Sequence, residues 1–298
     1  MEIMIYQVDA FSDRAFGGNP AAVVLSPRSL TSDMMQDIAK EMNLSETAFV
    51  IQFAKDSFWV RFFTPVCEVD LCGHATIATF YTLGKMGYIE GMVDGIKTVY
   101  QETRSGKLAV ELEYRDGEIY KVFMEQARPK IIGGIGDLER LARVMGIRVE
   151  DIGIGRETIY PKIVSTGLPD IMLPIKDKEI LDKMNVNMGE LSKMSEELNI
   201  IGVHAFYLAD RKSEIVYTRN FAPLVGINEE AATGTSNGAL IYFLRQNNLI
   251  DKNRLISYQG QSMNRPSTIH CKLIEREGTT LVKVGGDAKI VLSGIMSI

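Results

Sequence analysis

The chain has 298 residues, 46% hydrophobic and 24% charged, with a formal net charge of -5, an ordinary composition for a protein that buries a substantial core. Its longest basic cluster is "ADRKSE" at 209–214, which argues against a nucleic-acid backbone or an anionic membrane surface as the main partner. No apolar run approaches the roughly 20 residues that span a bilayer. Cys67, Cys72 and Cys271 are too few and too odd a set for a disulfide framework, so a cytoplasmic protein acting on a small molecule is expected.

In chain order, "MEIMIYQVDAF" alternates apolar positions and predicts a first β-strand in place of a signal peptide. "GNPAAVVL" (18–25) is a Gly-x-Pro turn leading into an extended run, "ETAFV" (46–50) a second strand, and "FTP" (63–65) a strand end, since proline forces an extended residue before it. "CGHATIATFYTLGKMG" (72–87) places Ile77, Phe80, Tyr81 and Met86 at helical spacings. "KLAVELEYRDGEIYKVFME" (107–125) alternates about "RDGE" as a hairpin does. "GDLERLARVMGI" (136–147) and the run from Leu181 to Leu198 predict surface helices.

The second half repeats this order. "GLPDIMLP" (167–174), "VHAFY" (203–207) and "FAP" (221–223) follow the first three motifs, and "TGTSNGALIYFLRQNN" (233–248), with Leu240, Phe243 and Leu244 at helical spacing, stands opposite the first helix. A duplicated α+β unit is expected, with one half over 1–125, joined by a returning strand over 286–298, and the other over 126–285. Neither a GxGxxG nor a GxxxxGK[ST] phosphate loop occurs. Two such halves packed face to face would direct two helix N-termini, with unpaired N–H groups and partial positive charge, at a common cleft suited to a carboxylate or phosphate.

The differences between the repeats predict the chemistry. Matching the Ala-Phe pairs sets Glu46 against Val203, so an acid stands in a strand that should pack inward. It is a candidate for burial, a raised pKa and general acid/base work; the alternative is a solvent-facing strand residue or a helix-start acid. His74 falls in the first turn of its helix, near the anion site, where it can donate to a substrate oxygen or relay a proton. His204 and His270 have no comparable setting and are expected to be structural. Cys72 and His74 lack the third and fourth ligands of a zinc site. Cys72 is either a thiolate activated by the helix start or an inert buried thiol. In "VGINEEAATGTSNGA" (225–239), Glu229 and Glu230 precede a Gly234, Thr235, Ser236 nest able to cradle an oxyanion through N–H and hydroxyl groups. "YQGQSMNRPS" (258–267) is a further Gly turn, carrying Arg265.

Together "DAFSDRAFGGNPAAVV", "LSETAFV", "FFTPVCEVDLCGHATIA" and "NFAPLVGINEEAATGTSNGAL" resemble the PhzF-like, or phenazine-biosynthesis-like, isomerase family. The resemblance implies a diaminopimelate epimerase-like α+β fold: two pseudo-symmetric halves, each a rolled, mostly antiparallel sheet around a central helix, in a homodimer. It implies a cofactor-independent, metal-free proton shift on a small unsaturated carboxylic acid, with Glu46 as the catalytic glutamate and His74 and Glu230 assisting. Asn19, Gly73, Ala75, Thr233, Gly234 and Thr235 match substrate-binding positions. Where the family usually has Glu-Asp-Pro-Ala-Thr-Gly-Ser, this chain has Glu229-Glu230-Ala231-Ala232-Thr233-Gly234-Thr235, so the customary aspartate is a glutamate and the proline is missing. Two other readings stand beside the isomerase: a thiol-assisted epimerase or racemase of an amino or hydroxy acid, and a small-acid binding protein without turnover.

Overall fold

The structure, a computed structural model, describes residues 1–27, 29–210, 213–276 and 278–298. Arg211 and Lys212, the centre of the basic cluster at 209–214, lie outside the described residues. The chain divides into two compact units, Met1–Glu125 with Gly285–Ile298, and Gln126–Val284.

The first unit runs β1 (Glu2–Ala10), β2 (Asn19–Leu25), α1 (Ser32–Met42), β3 (Glu46–Ala54), β4 (Ser57–Phe63), β5 (Glu68–Val69), α2 (Gly73–Lys85), β6 (Gly95–Thr103), β7 (Gly106–Arg115) and β8 (Glu118–Glu125). β1 and β2 are antiparallel, β2 and β3 parallel, β3 and β4 antiparallel. β4 and β6 are parallel, and β6, β7 and β8 follow in antiparallel order. A last strand, Ala288–Ser297, lies antiparallel to β1. α2 packs against β1, β2, β3, β7, β8 and that last strand, so the sheet rolls around it. Its sequence permits this: every residue from His74 to Phe80 is buried, as in a helix enclosed on all sides. α1 is amphipathic by contrast and lays Met35, Ile38 and Ala39 on the outer face of the sheet, with Thr31 capping its start. At the "RDGE" turn, Asp116 and Gly117 both have positive φ (51° and 81°), the conformation a two-residue hairpin demands.

The second unit runs β9 (Lys130–Gly134), α3 (Leu138–Met145), β10 (Lys162–Ser165), β11 (Pro169–Pro174), α4 (Lys178–Lys183), α5 (Met188–Leu198), β12 (Gly202–Leu208), β13 (Ile215–Ala222), β14 (Ile227–Glu230), α6 (Gly234–Gln246), β15 (Arg254–Gln259), β16 (Ser267–Arg276) and β17 (Thr279–Gly286). Its pairings repeat the first unit's in sense: β10/β11 antiparallel, β11/β12 parallel, β12/β13 antiparallel, β13/β15 parallel and β15/β16 antiparallel. α6 matches α2 at 13 residues and packs against β10, β11, β12, β15 and β16. The outer face is covered by α3, α4 and α5, which bury Leu141, Met145, Leu181, Leu191 and Met194 over the sheet. The run from Leu181 to Leu198 is two helices, because the chain extends at Met184 and restarts at Asn187, whose side chain caps α5.

Sheet register corrects one detail of the repeat. Thr47 pairs with Ala22 and Phe63, as Val203 pairs with Ile171 and Phe221. With Pro20 set on Pro169 and Phe63 on Phe221, Thr47 stands opposite Val203, and Glu46 opposite Gly202. The shared Ala-Phe pair is displaced by one residue, and a one-residue slip would send every side chain to the wrong face. Gly202 admits no side chain: a Cβ there would lie 1.8 Å from the Phe221 carbonyl oxygen.

Among the described residues, no helix is long and apolar enough to cross a membrane.

Candidate active site

The start of α2 and the start of β3 bring three chemically active side chains together. Glu46 is the first residue of β3, while Cys72 is the N-cap of α2 and His74 lies in its first turn. His74 Nε2 lies 2.9 Å from Glu46 Oε2, and the two side chains are 4% and 14% exposed. The contact has the distance of an ion pair without the alignment of a hydrogen bond. On the other edge of the ring, Nδ1 is 3.4 Å from Cys72 Sγ and 3.3 Å from the Asn19 amide nitrogen. Ser45 donates to Asn19 Oδ1 at 3.3 Å, and Gly18 makes this approach possible: its φ is +63° and a Cβ would sit 2.1 Å from Ala10 O.

Burial and charge oppose each other here. For Glu46, burial pushes the pKa up, but the charge and hydrogen-bonding capacity of His74, helped by Cys72, outweigh it and hold the carboxyl below its ordinary 4.5. The raised pKa expected from burial alone is therefore corrected, since the buried acid has a cationic neighbour. For His74, burial pulls the pKa down, while Cys72 and Glu46 raise it well above 6.5. Burial first, and then the Glu46 charge, push the Cys72 thiol up. A protonated thiol is no anion, so Glu46 supplies the charge that holds His74 protonated. At neutral pH the arrangement is a carboxylate facing an imidazolium, with a thiol behind the ring.

The zinc argument from sequence also changes. Glu46, Cys72 and His74 each offer one ligand atom, and these atoms lie within 4.8 Å of one another. Glu46, remote in sequence, is the third ligand type that the Cys-x-His spacing lacked.

The second unit builds its helix start from hydroxyls and amides bonded to the carboxylates of Glu230 and Asp170. Thr233, the N-cap of α6, donates its hydroxyl to Glu230 Oε2 at 2.8 Å, and its own N–H reaches Gln259 Oε1 at 3.3 Å. Gln259 Nε2 donates to the Glu230 carbonyl at 2.7 Å. Asn237 links Gln259 (2.9 Å) to His204 Nε2 (3.3 Å), and His204 Nδ1 meets Asn220 at 3.2 Å. The Ser236 hydroxyl is turned inward to Asp170 Oδ2 at 2.5 Å. The expected cradle of Gly234, Thr235 and Ser236 hence loses the Ser236 hydroxyl and keeps its backbone N–H groups. Burial lowers His204 to about 4, so it is the structural, neutral histidine expected; His270 lies on β16.

Glu229 is occupied elsewhere. Arg219 grips it with two nitrogens at 2.9 and 2.8 Å, and Ser262 donates to it at 2.6 Å. The "YQGQSMNRPS" turn braces this segment, as Ser267 also donates to the Ala231 carbonyl at 2.7 Å. Arg265 N–H closes the turn on Gly260 O at 3.0 Å.

Sequence reasoning missed Asp170. Burial raises its pKa from 3.8 to about 6, with Ser236, the Gly202 N–H and Asn220 pulling the other way. The signal was present: an acid within "PDIML", in a strand otherwise buried from Ile171 onward.

The profile of the phenazine biosynthesis-like protein family (PhzC-PhzF) matches residues 8–294. An uncharacterised isomerase of Clostridium acetobutylicum is 35% identical over 96% of this chain and 95% of its own. A crystal structure of a Bacillus anthracis phenazine biosynthesis protein of the PhzF family superimposes with a TM-score of 0.86 at 26% identity, covering 100% of both chains. A hydroxyproline epimerase from Agrobacterium vitis shares the fold alone, at a TM-score of 0.61 and 13% identity over 99% of this chain and 91% of that one.

Proposed function

The chain belongs to the phenazine biosynthesis-like family of isomerases, and from that premise we propose that it moves a proton within a small unsaturated carboxylic acid, with Glu46 as the base and then the acid. The observation that carries this reading is the Glu46–His74 contact of 2.9 Å. His74 keeps Glu46 ionised at neutral pH, so the resting residue is a base. Once Glu46 accepts a proton from one substrate carbon, the neighbouring imidazolium favours giving one up again, and the Glu46 carboxyl, whose proton exchanges with solvent, delivers a proton to another carbon of the same molecule. No net proton or electron is exchanged, so the step requires neither metal nor organic cofactor. The substrate carboxylate is held by N–H groups of a helix start, which carries partial positive charge.

In this proposal Asn19 sets the His74 ring, and Gly73 and Ala75 bind the substrate at the α2 start. Glu230 assists from the position where the family has aspartate, its longer arm drawn back by the Thr233 hydroxyl. A homodimer, on the family resemblance, and a cytoplasmic location, on the sparse cysteines, remain part of the proposal. The thiol-assisted epimerase has less support, because burial keeps Cys72 protonated and the α6 counterpart of Cys72 is Thr233. A panel of small unsaturated carboxylic acids, followed by proton NMR, tests the reading: migration of a double bond in at least one supports it. Binding without isomerisation across the panel supports the non-catalytic reading instead.

A further inference from the structure

The three side chains at the start of α2 have a second capability that proton transfer does not use. Sγ of Cys72, a ring nitrogen of His74 and a carboxylate oxygen of Glu46 lie within 4.8 Å of one another. Zinc bonds of about 2.0 Å to nitrogen or oxygen and about 2.3 Å to sulfur, at tetrahedral angles, separate ligand atoms by roughly 3.3–3.8 Å. Sγ and Nδ1 already stand 3.4 Å apart. Glu46, the most exposed of the three and the one on a flexible side chain, has to close a gap of up to about 1.5 Å, from 4.8 Å to about 3.3 Å, on the same bond lengths. We propose that Glu46, Cys72 and His74 bind a single zinc ion, and that its binding withdraws Glu46 from proton transfer.

Three features select this metal. Thiolate and imidazole are ligands for zinc and similar transition metals, and disfavour magnesium or calcium. A divalent ion with one thiolate and one carboxylate has no net charge, which suits a site whose Cys72 and His74 are buried. Three protein ligands leave a fourth position for water. Coordination through Nδ1 displaces the Asn19 amide, 3.3 Å from that nitrogen, and Glu46 leaves its place 2.9 Å from the other ring nitrogen to reach the metal. The thiol and the ring must each give up a proton to coordinate, so affinity falls as pH falls. The inhibitory consequence rests on the proposed role of Glu46, whereas the binding does not.

The test is calorimetric titration of the full, reduced chain with zinc chloride, repeated with cobalt(II) to read the thiolate-to-metal absorption in the near ultraviolet. The expected result is one ion per chain, with affinity lower by at least about tenfold in Cys72→Ser and Glu46→Gln, a scale that even outer-shell changes reach at metal sites. The cobalt absorption is expected to vanish in Cys72→Ser. Cys67→Ser, which removes an exposed thiol, is expected to bind as the unaltered chain does. Should Cys72→Ser not fold, Glu46→Gln carries the same comparison. Absence of binding by the unaltered chain, or affinity in Glu46→Gln and Cys72→Ser equal to that of the unaltered chain, overturns the site. Zinc binding lost in these variants, in a chain that isomerises none of the acids, keeps the site and removes the proposed function.

Discussion

The starts of α2 and α6 occupy the same place in two units of the same topology, yet they are chemically opposite. Cys72, Gly73 and His74 stand where Thr233, Gly234 and Thr235 stand. Both helices bond the side chain of their fourth residue back to the cap, Thr76 to the Cys72 carbonyl at 2.7 Å and Asn237 to the Thr233 carbonyl at 3.0 Å. Both of those residues also contact a buried glutamine, Gln101 or Gln259. What differs is charge. The first unit places a carboxylate against an imidazole at its helix start, whereas the second bonds its carboxylates, Glu230 and Asp170, to the hydroxyls of Thr233 and Ser236 and keeps a neutral histidine. One scaffold thus yields a carboxylate–imidazole pair in one unit and a hydroxyl–amide brace in the other, and position 202 has no room for the side chain that position 46 has.

The comparison is broken most severely at His74. The sign follows from the two shifts. Glu46, lowered below 4.5, contributes stability that is present above that value and lost as pH falls through its folded pKa. His74, raised well above 6.5, contributes stability fully present below 6.5 and lost as pH rises through its folded pKa. The pair is intact across neutral pH. His74→Gln is expected to slow turnover by two to three orders of magnitude, within the range of general acid/base effects. It is also expected to abolish the alkaline decline of the rate, as read from a pH–rate profile.

The second unit is probed by Asp170 and His204, which should act with opposite signs. Asp170 titrates at about 6 instead of 3.8, so its ionised form is disfavoured in the fold, at a cost that grows as pH rises between those values. His204 titrates at about 4 instead of 6.5, so the fold loses stability as pH falls through that interval. Each full shift corresponds to about 3 kcal/mol. In urea unfolding between pH 4 and 7, Asp170→Asn is expected to gain stability toward neutral pH, and His204→Gln to lose less than the unaltered chain on acidification. Parallel slopes in the two variants would contradict this account of the network.

Gly202→Ala tests why the second unit has no acid at this position. The Cβ contact of 1.8 Å with Phe221 O is expected to destabilise by about 1–3 kcal/mol or more, seen as a lower calorimetric Tm. The smallest effect belongs to Cys72→Ser. With the thiol protonated behind the ring, turnover is expected to change by less than about threefold, a fraction of 1 kcal/mol, and a larger loss would restore the thiol mechanism.

Much of this was legible in the sequence. Phe-x-Pro, Gly-x-Pro and the two helix patterns recur in order, and they mark the strands and helices that make each unit. Glu46 and His74 stood out because their repeat partners are not titratable. Three things were not legible. The Ala-Phe coincidence hid the true partner of Glu46, because register depends on pairing across strands and not on local likeness. The lowered Glu46 pKa depends on a contact between residues 46 and 74 that no spacing reveals. Asp170 is hidden in the extended run after the Gly-x-Pro turn, since its Ser236 partner is 66 positions away.

The central claim is that Glu46 transfers the proton, and solvent exchange tests it most directly. Whichever acid of the panel is turned over should be incubated in D2O with the unaltered chain and with Glu46→Gln, and deuterium at its carbons measured by mass spectrometry. Glu46 as base and acid predicts incorporation by the unaltered chain and a loss on the order of 100-fold or more in the variant, with unfolding behaviour near neutral pH still cooperative. Equal incorporation by both proteins would remove Glu46 from the reaction.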